Sequence, residues 1–400
     1  MKRIIYIHQY FRTPHEGGAI RSYYIARAMV EAGWCVDMIT SHNEKEYRFS
    51  MVEGIKVHYL PVSYDNKMSY LNRIRAFLSF IVSSLRQARK IRDAEICYAT
   101  STPLTVGIIA LLLKKWQKIP YIFEVRDLWP EAPIQLGYLP SPILKTVFRR
   151  LEKLIYAKAN KIIALSPGIA DGILHSTPKA NVITIPNMSD NQFFDVGFKK
   201  PDSNNINIVY TGALGIVNDV EAIIEMANHC QKNHPKVKFY VAGTGKKEAY
   251  FKEEINRRQL RNVILLGQID KYAIKELLSK ADIALVSFMQ VPILRTNSPN
   301  KAFDALAAGL PIIFTNKNWL AEQAEKNHFG VYLDLKNPNM AFQKLDNWLK
   351  DQDIFHKSRW QAKKAAEELY DKDVLCRKVL ITVDPNYLGS KISELKASSV

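Results

Sequence analysis

The hydrophobic positions of the chain alternate between short apolar runs and longer amphipathic stretches. The short runs, rich in isoleucine, valine and aromatic residues, predict buried strands, whereas stretches with apolar residues three and four positions apart predict helices. This alternation occurs twice, so the pattern predicts an α/β fold with two tandem, doubly wound parallel-sheet domains. Predicted strands begin at residues 3, 36, 55, 95, 121, 161 and 182 in the first half and at 207, 238, 263, 283 and 312 in the second.

The boundary between the two predicted domains falls in a polar, proline-containing segment at residues 198–205. A chain of 400 residues is too long for a single core and suits two domains of ordinary size. We therefore predict an N-terminal Rossmann-like domain over residues 1–200, a second over residues 201–375, and a C-terminal tail over residues 376–400. A ligand is expected in a cleft that the two domains face.

The composition describes a globular chain. Hydrophobic residues make up 47% and charged residues 24%, which excludes a disordered protein. No apolar run reaches the roughly 18 residues that span a bilayer, and Met1-Lys2-Arg3 leads directly into the first predicted strand. The four cysteines are far apart and lack metal-ligand spacing, so we expect reduced thiols in a cytoplasmic protein.

Positive charge is concentrated in the first half of the chain. The net charge is +17, and residues 1–200 carry +12 of it, from 28 basic against 16 acidic residues. This asymmetry indicates an anionic partner, although a basic surface also serves solubility alone. Residues 71–92 predict a helix with an apolar stripe, six cations and no acid, and residues 144–159 predict a second basic helix. Two interpretations of such helices stay open: contact with an anionic membrane, or packing on the sheet with the cations in water.

The segment from residue 298 to residue 311 predicts a short helix with an open N-terminus, followed by a buried strand. Ser298 is the expected N-cap, and Pro299 suits the first turn. A helix N-terminus attracts phosphate, and Lys301 adds a full positive charge in that turn. Asp304, one turn further along, can accept hydrogen bonds from the two hydroxyls of a ribose. The segment is either a nucleotide clamp or an ordinary helix with a solvated lysine–aspartate pair.

Two further loops at predicted strand ends carry candidate chemistry. Gly17 and Gly18 follow the first strand and precede a helix, which brings backbone amides close to phosphate oxygens, although the dinucleotide fingerprint GxGxxG is absent. Glu124, Arg126 and Asp127 lie at the end of another predicted strand. Because ligands bind beyond the carboxyl ends of strands in open parallel sheets, these three side chains are candidates for chemistry.

Several motifs together resemble glycosyltransferase family 4, the retaining enzymes of the GT-B fold. The resemblance covers essentially the whole chain and looks closest to the branch that includes bacterial amino-fucose transferases of surface-polysaccharide assembly. The motifs that carry it are His8-Gln9-Tyr10-Phe11 with Gly17-Gly18, Ser101-Thr102-Pro103, Glu124-Val125-Arg126-Asp127-Leu128-Trp129-Pro130-Glu131, Leu165-Ser166-Pro167-Gly168, Pro186-Asn187, and Ser298-Pro299-Asn300-Lys301 through Gly309-Leu310-Pro311.

The resemblance implies a role for each candidate residue. Asp304 stands at the second glutamate of the family's Glu-x7-Glu motif, which holds the donor ribose, and Lys301 and Lys246 would face the donor diphosphate. The implied donor-binding set is Gly17, Gly18, Lys246, Ser298, Asn300, Lys301 and Asp304. The implied catalytic set is Lys301 with Glu124, Arg126 and Asp127, which would line the acceptor and reacting-sugar side.

The chain departs from the family pattern at several positions. Thr296 replaces the first glutamate of the Glu-x7-Glu motif, which touches the transferred sugar in relatives. Arg126 replaces a common histidine, and Ala213 and Asn218 replace an arginine and a lysine that bind phosphate. These changes leave the identity of the transferred sugar undetermined. They also increase the importance of Lys301 and Lys246 for neutralising the charge of the diphosphate.

The resemblance implies a retaining glycosyltransferase of bacterial surface-polysaccharide (O-antigen or capsule) synthesis. The implied donor is a nucleotide diphosphate-sugar, and we expect a UDP-linked amino- or deoxy-sugar. Since the helix start and its lysines supply positive charge, we expect neither a metal ion nor a cofactor. The basic first half suggests a glycan acceptor on a polyprenyl diphosphate and peripheral contact with the inner face of the plasma membrane. The alternative enzyme is a nucleotide-sugar 2-epimerase of the same architecture. Charge alone suggests nucleic-acid binding, but no known binding motif accompanies it.

Overall fold

The computed structural model describes residues 2–16, 18, 20–65, 68–197 and 205–387. The chain divides into two compact units. The first unit contains the chain up to Pro14, Gly18–Pro186 and the chain from Asp373 onward. The second contains Asn187–Lys372 with the short segment at His15.

Among the described residues, the first unit is built on an eight-stranded sheet with the strand order β3-β4-β2-β1-β5-β6-β7-β8. All neighbouring strands are parallel except β3 and β4. The strands are β1 (Arg3–Ile7), β2 (Cys35–His42), β3 (Arg48–Val52), β4 (Ile55–Pro61), β5 (Ile96–Thr100), β6 (Tyr121–Val125), β7 (Lys161–Ala164) and β8 (Val182–Thr184). The helices are α1 (Arg21–Glu31), α2 (Tyr70–Ala88), α3 (Val106–Gln117), α4 (Glu131–Gln135), α5 (Pro142–Lys158) and α6 (Pro167–Ser176).

The second unit is built on a six-stranded parallel sheet with the order β11-β10-β9-β12-β13-β14. Its strands are β9 (Ile206–Thr211), β10 (Val237–Ala242), β11 (Val263–Gly267), β12 (Ile283–Val286), β13 (Ile312–Phe314) and β14 (Gly330–Tyr332). Its helices are α7 (Val220–Asn233), α8 (Glu248–Arg257), α9 (Lys271–Lys280), α10 (Asn300–Ala307), α11 (Trp319–Lys326), α12 (Pro338–Lys350) and α13 (Gln352–Glu368). This is the doubly wound order of a Rossmann fold, and it reverses between β9 and β12, the point where such sheets bind ligands.

Apolar side chains cover both faces of the second sheet, because successive residues of a strand point to opposite sides. Ile208 of β9 packs with Ile224 of α7 in one cluster, while the next residue, Val209, packs with Leu306 of α10 in another. The prediction of two α/β parallel-sheet units is therefore confirmed by the topology of both sheets.

The unit boundaries differ from the predicted ones. The chain passes from the first unit to the second at Pro186/Asn187, not at residue 200, and the predicted linker lies largely outside the described residues. The region predicted as a tail contains most of a helix, α14 (Lys372–Val383), which returns to the first unit. There the carbonyl oxygen of Thr382 accepts a hydrogen bond from Lys161, and the Asp384 carboxylate pairs with Lys2.

Helix α2 is the predicted basic helix, and its apolar stripe divides between the core and the solvent. The C-terminal members of the stripe are buried: Ile81, Leu85 and Ala88. The N-terminal members are exposed: Leu71 by 66%, Ile74 by 37%, Leu78 by 57% and Val82 by 46%. We call these four residues the α2 row. Within the described part of the chain, every helix is too short or too polar to cross a bilayer.

The antiparallel strand β3 is absent from the sequence prediction. It lies at the sheet edge, where Arg48, Phe49, Ser50 and Met51 alternate polar and apolar residues, and its apolar residues Phe49 and Met51 are about half exposed. Glu53 and Gly54, both with positive φ, form the tight turn that joins it to β4.

Candidate functional site

Lys301 lies in the first turn of α10, where the strand order of the second sheet reverses. Its Nζ atom is 4.0 Å from the centroid of the Tyr210 ring and 5.3 Å from that of Phe288. This Nζ atom is buried and makes no hydrogen bond to any described residue. Two aromatic faces therefore hold a cation that has no anionic partner within the described chain.

Burial lowers the pKa of Lys301 from its ordinary value to about 7. An unpaired ammonium out of water is costly, and the free energy falls when an anion arrives beside it. A phosphate group at this position would restore the full charge of the lysine and gain a charge-assisted hydrogen bond. The residue is thus arranged to bind an anion at the switch point of the sheet.

The loop after β9 passes close to Lys301 because its first residue lacks a side chain. Gly212 has φ of +147°, and a Cβ atom there would lie 2.6 Å from the Nζ atom of Lys301. Gly243, after β10, has φ of +149°, and a Cβ atom on it would lie 1.8 Å from the carbonyl oxygen of Gly212. Glycine at both positions lets the two loops and the lysine pack together.

Ser298 does not act as the N-cap of α10, contrary to the prediction. The N-cap is Pro299, which offers no side-chain hydrogen bond. The Ser298 hydroxyl instead accepts a hydrogen bond from the backbone N–H of Asn187, and the Asn187 side chain donates to the Ser298 carbonyl oxygen. Ser298 therefore fixes the loop before the helix rather than closing its N-terminus.

The start of α10 is left open as a result. No described side chain accepts a hydrogen bond from the backbone amides of Asn300 and Lys301. Free amides at a helix N-terminus carry partial positive charge, so they add to the attraction that Lys301 exerts on an anion. The Asn300 side chain is exposed at the same helix start.

Asp304 lies in a different electrostatic environment from Lys301. Burial raises the pKa of the Asp304 carboxyl to about 7, opposed by the charge of Lys271 and reinforced by that of Asp190. Lys271 is in turn 3.9 Å from a carboxylate oxygen of Asp190. The sequence interpretation missed Lys271, although its position directly after the Asp270 N-cap of α9 marks it as lying near a strand end.

Lys246, the other lysine predicted to bind the donor diphosphate, is exposed to solvent rather than held in place by neighbouring side chains. Lys246 is exposed on the loop after β10, while its neighbour Lys247 pairs with Glu221 at 2.8 Å. Of the two lysines predicted for the donor diphosphate, both of which the structure describes, Lys301 has a buried Nζ atom and Lys246 is exposed. A bound phosphate would recruit Lys246 from solvent rather than find it preorganised.

In the first unit, Glu124 lies at the centre of a buried network. It is 0% exposed, and its carboxylate accepts hydrogen bonds from Arg21 at 3.0 Å, Tyr98 at 2.7 Å and Arg126 at 3.1 Å. Burial acts to raise the pKa of Glu124, but Arg21 and Arg126 hold it below its ordinary value. The carboxylate is therefore ionised and fully bonded, which suits the positioning of Arg126 rather than contact with a substrate.

Arg126 is held at the end of β6 by several contacts. Its guanidinium donates to Ser22 at 2.7 Å, and Ser22 in turn lies 2.9 Å from His8 Nδ1. Burial and the charge of Arg126 lower the pKa of His8 far below its ordinary value, so His8 is neutral. Asp127 is exposed beside Arg126, with Thr102 donating to it at 3.5 Å.

The predicted glycine pair is seen only in part. Gly18 is exposed with φ of +82°, a left-handed conformation that favours glycine, whereas Gly17 lies outside the described residues.

Two Asp-x-Asp sequences, the pattern that often holds a divalent ion in sugar transfer, occur at residues 351–353 and 371–373. Asp351 caps α13 by accepting from the amide of Ile354, and Asp371 accepts from the Asn191 side chain. Both first aspartates thus have structural roles.

Comparison with protein families accounts for both units. The second matches the family model "Glycosyl transferases group 1" over residues 192–369, and the first matches "Glycosyl transferase 4-like domain" over residues 16–188. The chain belongs to the GT-B glycosyltransferases. The prediction of this fold and enzyme class is therefore confirmed, while the amino-fucose branch stays a prediction.

Two curated relatives of this GT-B transferase are each 22% identical to it. One is glycogen synthase from Mycobacterium tuberculosis, matched over 56% of this chain and 52% of its own, so the match spans about half the length of that relative. The other is the uncharacterized glycosyltransferase MJ1607 of Methanocaldococcus jannaschii, matched over 91% of this chain and 93% of its own.

Solved structures of similar fold cover nearly the whole GT-B transferase. Sucrose-phosphate synthase from Thermosynechococcus elongatus has a TM-score of 0.76 at 15% identity, with 100% of both chains covered. WaaG, a glycosyltransferase involved in lipopolysaccharide biosynthesis, has a TM-score of 0.70 at 14% identity over 95% of this chain and 99% of its own. Anabaena Alr3699/HepE in complex with UDP-glucose has a TM-score of 0.69 at 14% identity over 96% of this chain and 100% of its own. At sequence identities of 14–15%, this structural similarity shows a shared fold and nothing more.

Proposed function

We propose that the protein transfers a sugar, with retention, from a nucleotide diphosphate-sugar to a lipid-linked glycan acceptor in surface-polysaccharide synthesis. The observation that carries the proposal is the buried, unpaired Nζ atom of Lys301 beside Gly212 and an uncapped helix start. The leaving group is a nucleoside diphosphate, and its charge grows as the glycosidic bond breaks. A preorganised cation aimed at that charge lowers the barrier to the reaction.

We propose that the donor is UDP-linked and carries an amino- or deoxy-sugar. The complex of Anabaena Alr3699/HepE with UDP-glucose supports the nucleotide. Retention is proposed to arise by attack on the face from which the diphosphate leaves, with a donor phosphate oxygen taking the acceptor proton. Double displacement would need a free carboxylate nucleophile, and Glu124 is unsuitable because its oxygens are buried and bonded to Arg21, Arg126 and Tyr98.

The decisive experiment incubates the purified protein with a panel of nucleotide sugars, with and without a polyprenyl diphosphate-linked acceptor. Release of nucleoside diphosphate that depends on the acceptor supports the transferase, and NMR of the product reports the anomeric configuration. Donor turnover without acceptor would instead indicate a 2-epimerase. Addition of a chelator tests the proposed independence from metal.

Replacing Asp304 with alanine is expected to raise the KM for the donor about tenfold while leaving kcat within a few-fold, because a hydrogen-bonded ribose contributes similarly to ground and transition states. Initial rates at varied donor concentration give both constants. The matched control is Asp270→Ala, which removes a carboxylate that caps α9 in the same unit. An unchanged KM in the Asp304 variant would exclude the ribose role.

The proposed acceptor side rests on two exposed apolar rows of the first unit, each accompanied by exposed cations. The α2 row is accompanied by Arg75 and Arg86. On α5, Ile143, Val147 and Leu154 are exposed by 76%, 52% and 48%, near Arg150 and Lys153, and we call these three the α5 row. Apolar residues flanked by cations suit the interface of an anionic bilayer, where a polyprenyl diphosphate is anchored. This supports a peripheral location at the inner face of the plasma membrane.

Changing Leu71 and Leu78 together to glutamate is expected to reduce binding to anionic vesicles at least tenfold, since two apolar contacts become like-charge repulsions. Flotation with vesicles that contain phosphatidylglycerol at about 0.1 M salt measures the bound fraction. Met340→Glu is the control, because Met340 is 72% exposed on the second unit, outside both rows. Wild-type protein that stays unbound would favour a soluble acceptor.

A further inference from the structure

Three side chains of the second unit, two histidines and one aspartate, lie close together where the end of α7 meets α12. Histidine and aspartate are residue types that commonly bind metal ions. The Nε2 atoms of His229 and His234 each lie 2.7 Å from the same oxygen of Asp346. One ligand atom from each of the three residues lies within 4.8 Å of the others. All three side chains are partly exposed, by 16%, 14% and 25% respectively, so an ion can reach them from solvent.

Local structure explains how the two histidines point to one place. His229 is in the last turns of α7, and His234 is its C-cap, with φ of −136° and ψ of 69°. The break from helical geometry turns the His234 ring back toward the ring of His229, and the ring centroids are 6.2 Å apart. Asp346, on α12, supplies the third group from a different element.

The ring of His229 is also fixed in orientation. It stacks on Phe342, one turn before Asp346, with centroids 4.2 Å apart and an interplanar angle of 7°. Its Nδ1 atom lies 3.2 Å from the Asn233 side-chain amide. A histidine that binds a metal through Nε2 carries its proton on Nδ1, and a rotated Asn233 amide would offer an oxygen to accept it.

We propose that His229, His234 and Asp346 form a binding site for one divalent transition-metal ion of the Zn²⁺ type. Two imidazole nitrogens and one carboxylate oxygen are a set that Zn²⁺ binds, with metal–ligand distances of about 2.0–2.2 Å. Tetrahedral geometry at those distances separates the ligand atoms by about 3.3 Å, so the two hydrogen bonds would open by roughly half an ångström. Water would complete the coordination.

The site would link two helices rather than assist sugar transfer. The loop that carries Gly212 precedes the N-terminus of α7, whereas the histidines lie at its opposite end. A helix of 14 residues spans about 21 Å, so the ion is remote from Lys301. By joining α7 to α12, it would stabilise the folded second unit in proportion to its binding.

The test uses the full-length protein without an affinity tag, dialysed free of metal, and titrated with Zn²⁺ by calorimetry. We expect one ion bound per chain and a rise in melting temperature with Zn²⁺. His234→Asn and Asp346→Asn should each weaken binding at least tenfold. The matched control is His356→Asn, because His356 is an exposed histidine of the same unit on α13. Co²⁺ in place of Zn²⁺ should give the intense visible absorption of a four-coordinate site, which is absent in the His234 variant.

Melting curves recorded without metal show whether the variants fold, so a loss of binding can be separated from a loss of structure. The proposal is overturned if the wild-type protein binds no Zn²⁺ at about 0.1 mM, or if the His234 and Asp346 variants bind as well as the wild type. In either case the three side chains form only the hydrogen bonds described above.

Discussion

Replacement of Lys301 by methionine or alanine is expected to lower kcat by about 10²-fold or more, because one preorganised charge on the leaving diphosphate is lost. The KM for the donor should rise less, since the charge of the leaving group is greater in the transition state than in the ground state. The measurement is the steady-state rate of nucleoside diphosphate release. Lys246→Met should have a smaller effect, because Lys246 is exposed.

The same substitution is expected to stabilise the fold. The pKa of Lys301 is about 7 in the folded protein against an ordinary value of 10.5, so the unfolded chain holds the proton more tightly between these values. The buried ammonium therefore costs stability, on the order of a few kcal/mol below pH 7, and the cost fades as the pH rises toward 10.5. Lys301→Met removes that cost, so its melting temperature should exceed that of the wild type at pH 6–7, with the gap closing at high pH.

An inactive variant that is more stable than the wild type cannot owe its inactivity to misfolding. The control is Lys280→Met, which removes an exposed lysine paired with Glu276 at the end of α9 and should change neither activity nor the pH dependence of stability. Near-normal turnover in the Lys301 variants would remove this residue from the mechanism and, with it, the main support for the proposed reaction.

Replacement of Glu124 by alanine is expected to destabilise the first unit by about 3–5 kcal/mol, because it leaves the buried Arg21 and the partly buried Arg126 without their anion. Glu124→Gln should cost less, since an amide oxygen still accepts hydrogen bonds. Urea unfolding followed by hydrogen exchange of peptides covering β6 reports this unit separately from the second. Asp171→Ala, at an exposed carboxylate on α6, is the control.

The effect of Glu124 should depend on pH with a defined sign. Its pKa is below the ordinary carboxyl value in the folded protein, because Arg21 and Arg126 outweigh burial. Its stabilising contribution is therefore complete above the ordinary carboxyl pKa of about 4.3 and is lost as the pH falls through the lower folded value. The difference in the free energy of unfolding between wild type and Glu124→Ala should become smaller only in acid. A difference that stays constant down to pH 2 would contradict the lowered pKa of Glu124 in the folded protein.

Much of the fold follows from local pattern. The parallel strands at the centre of each sheet have apolar runs because both of their faces are buried, and they lie where the pattern predicts them. The edge strands β3 and β14 are the exceptions: neither is among the predicted strands, although the alternating polar and apolar residues of β3 are typical of an exposed edge strand. The boundary predicted at the C-terminal end of the second unit was misplaced because the last helix, α14, returns to the first unit, which no local composition indicates.

The candidate site shows the same division. A lysine in the first turn of a helix that precedes a buried strand can be predicted directly from residues 298–311 and the apolar run after them. Spacing alone leaves open whether that lysine is a solvated surface charge. Its burial against Tyr210, from a strand some ninety positions earlier, decides the question. Likewise, Glu124 follows from its place at a strand end, but its partner Arg21 is 103 positions away.

By itself, the sequence determined most of the strands and helices, the two largely parallel sheets and the presence of a cation at a helix start, because these depend on neighbours within a few residues. Only the tertiary structure decided that the Nζ atom of Lys301 has no anionic partner within the described chain and that the Ser298 hydroxyl accepts a hydrogen bond from Asn187. It also decided that the α2 row is exposed and that two histidines contact the same oxygen of Asp346. The physical reason is that burial and pairing are properties of groups brought together from distant parts of the chain, and they set the charge state and accessibility on which function depends.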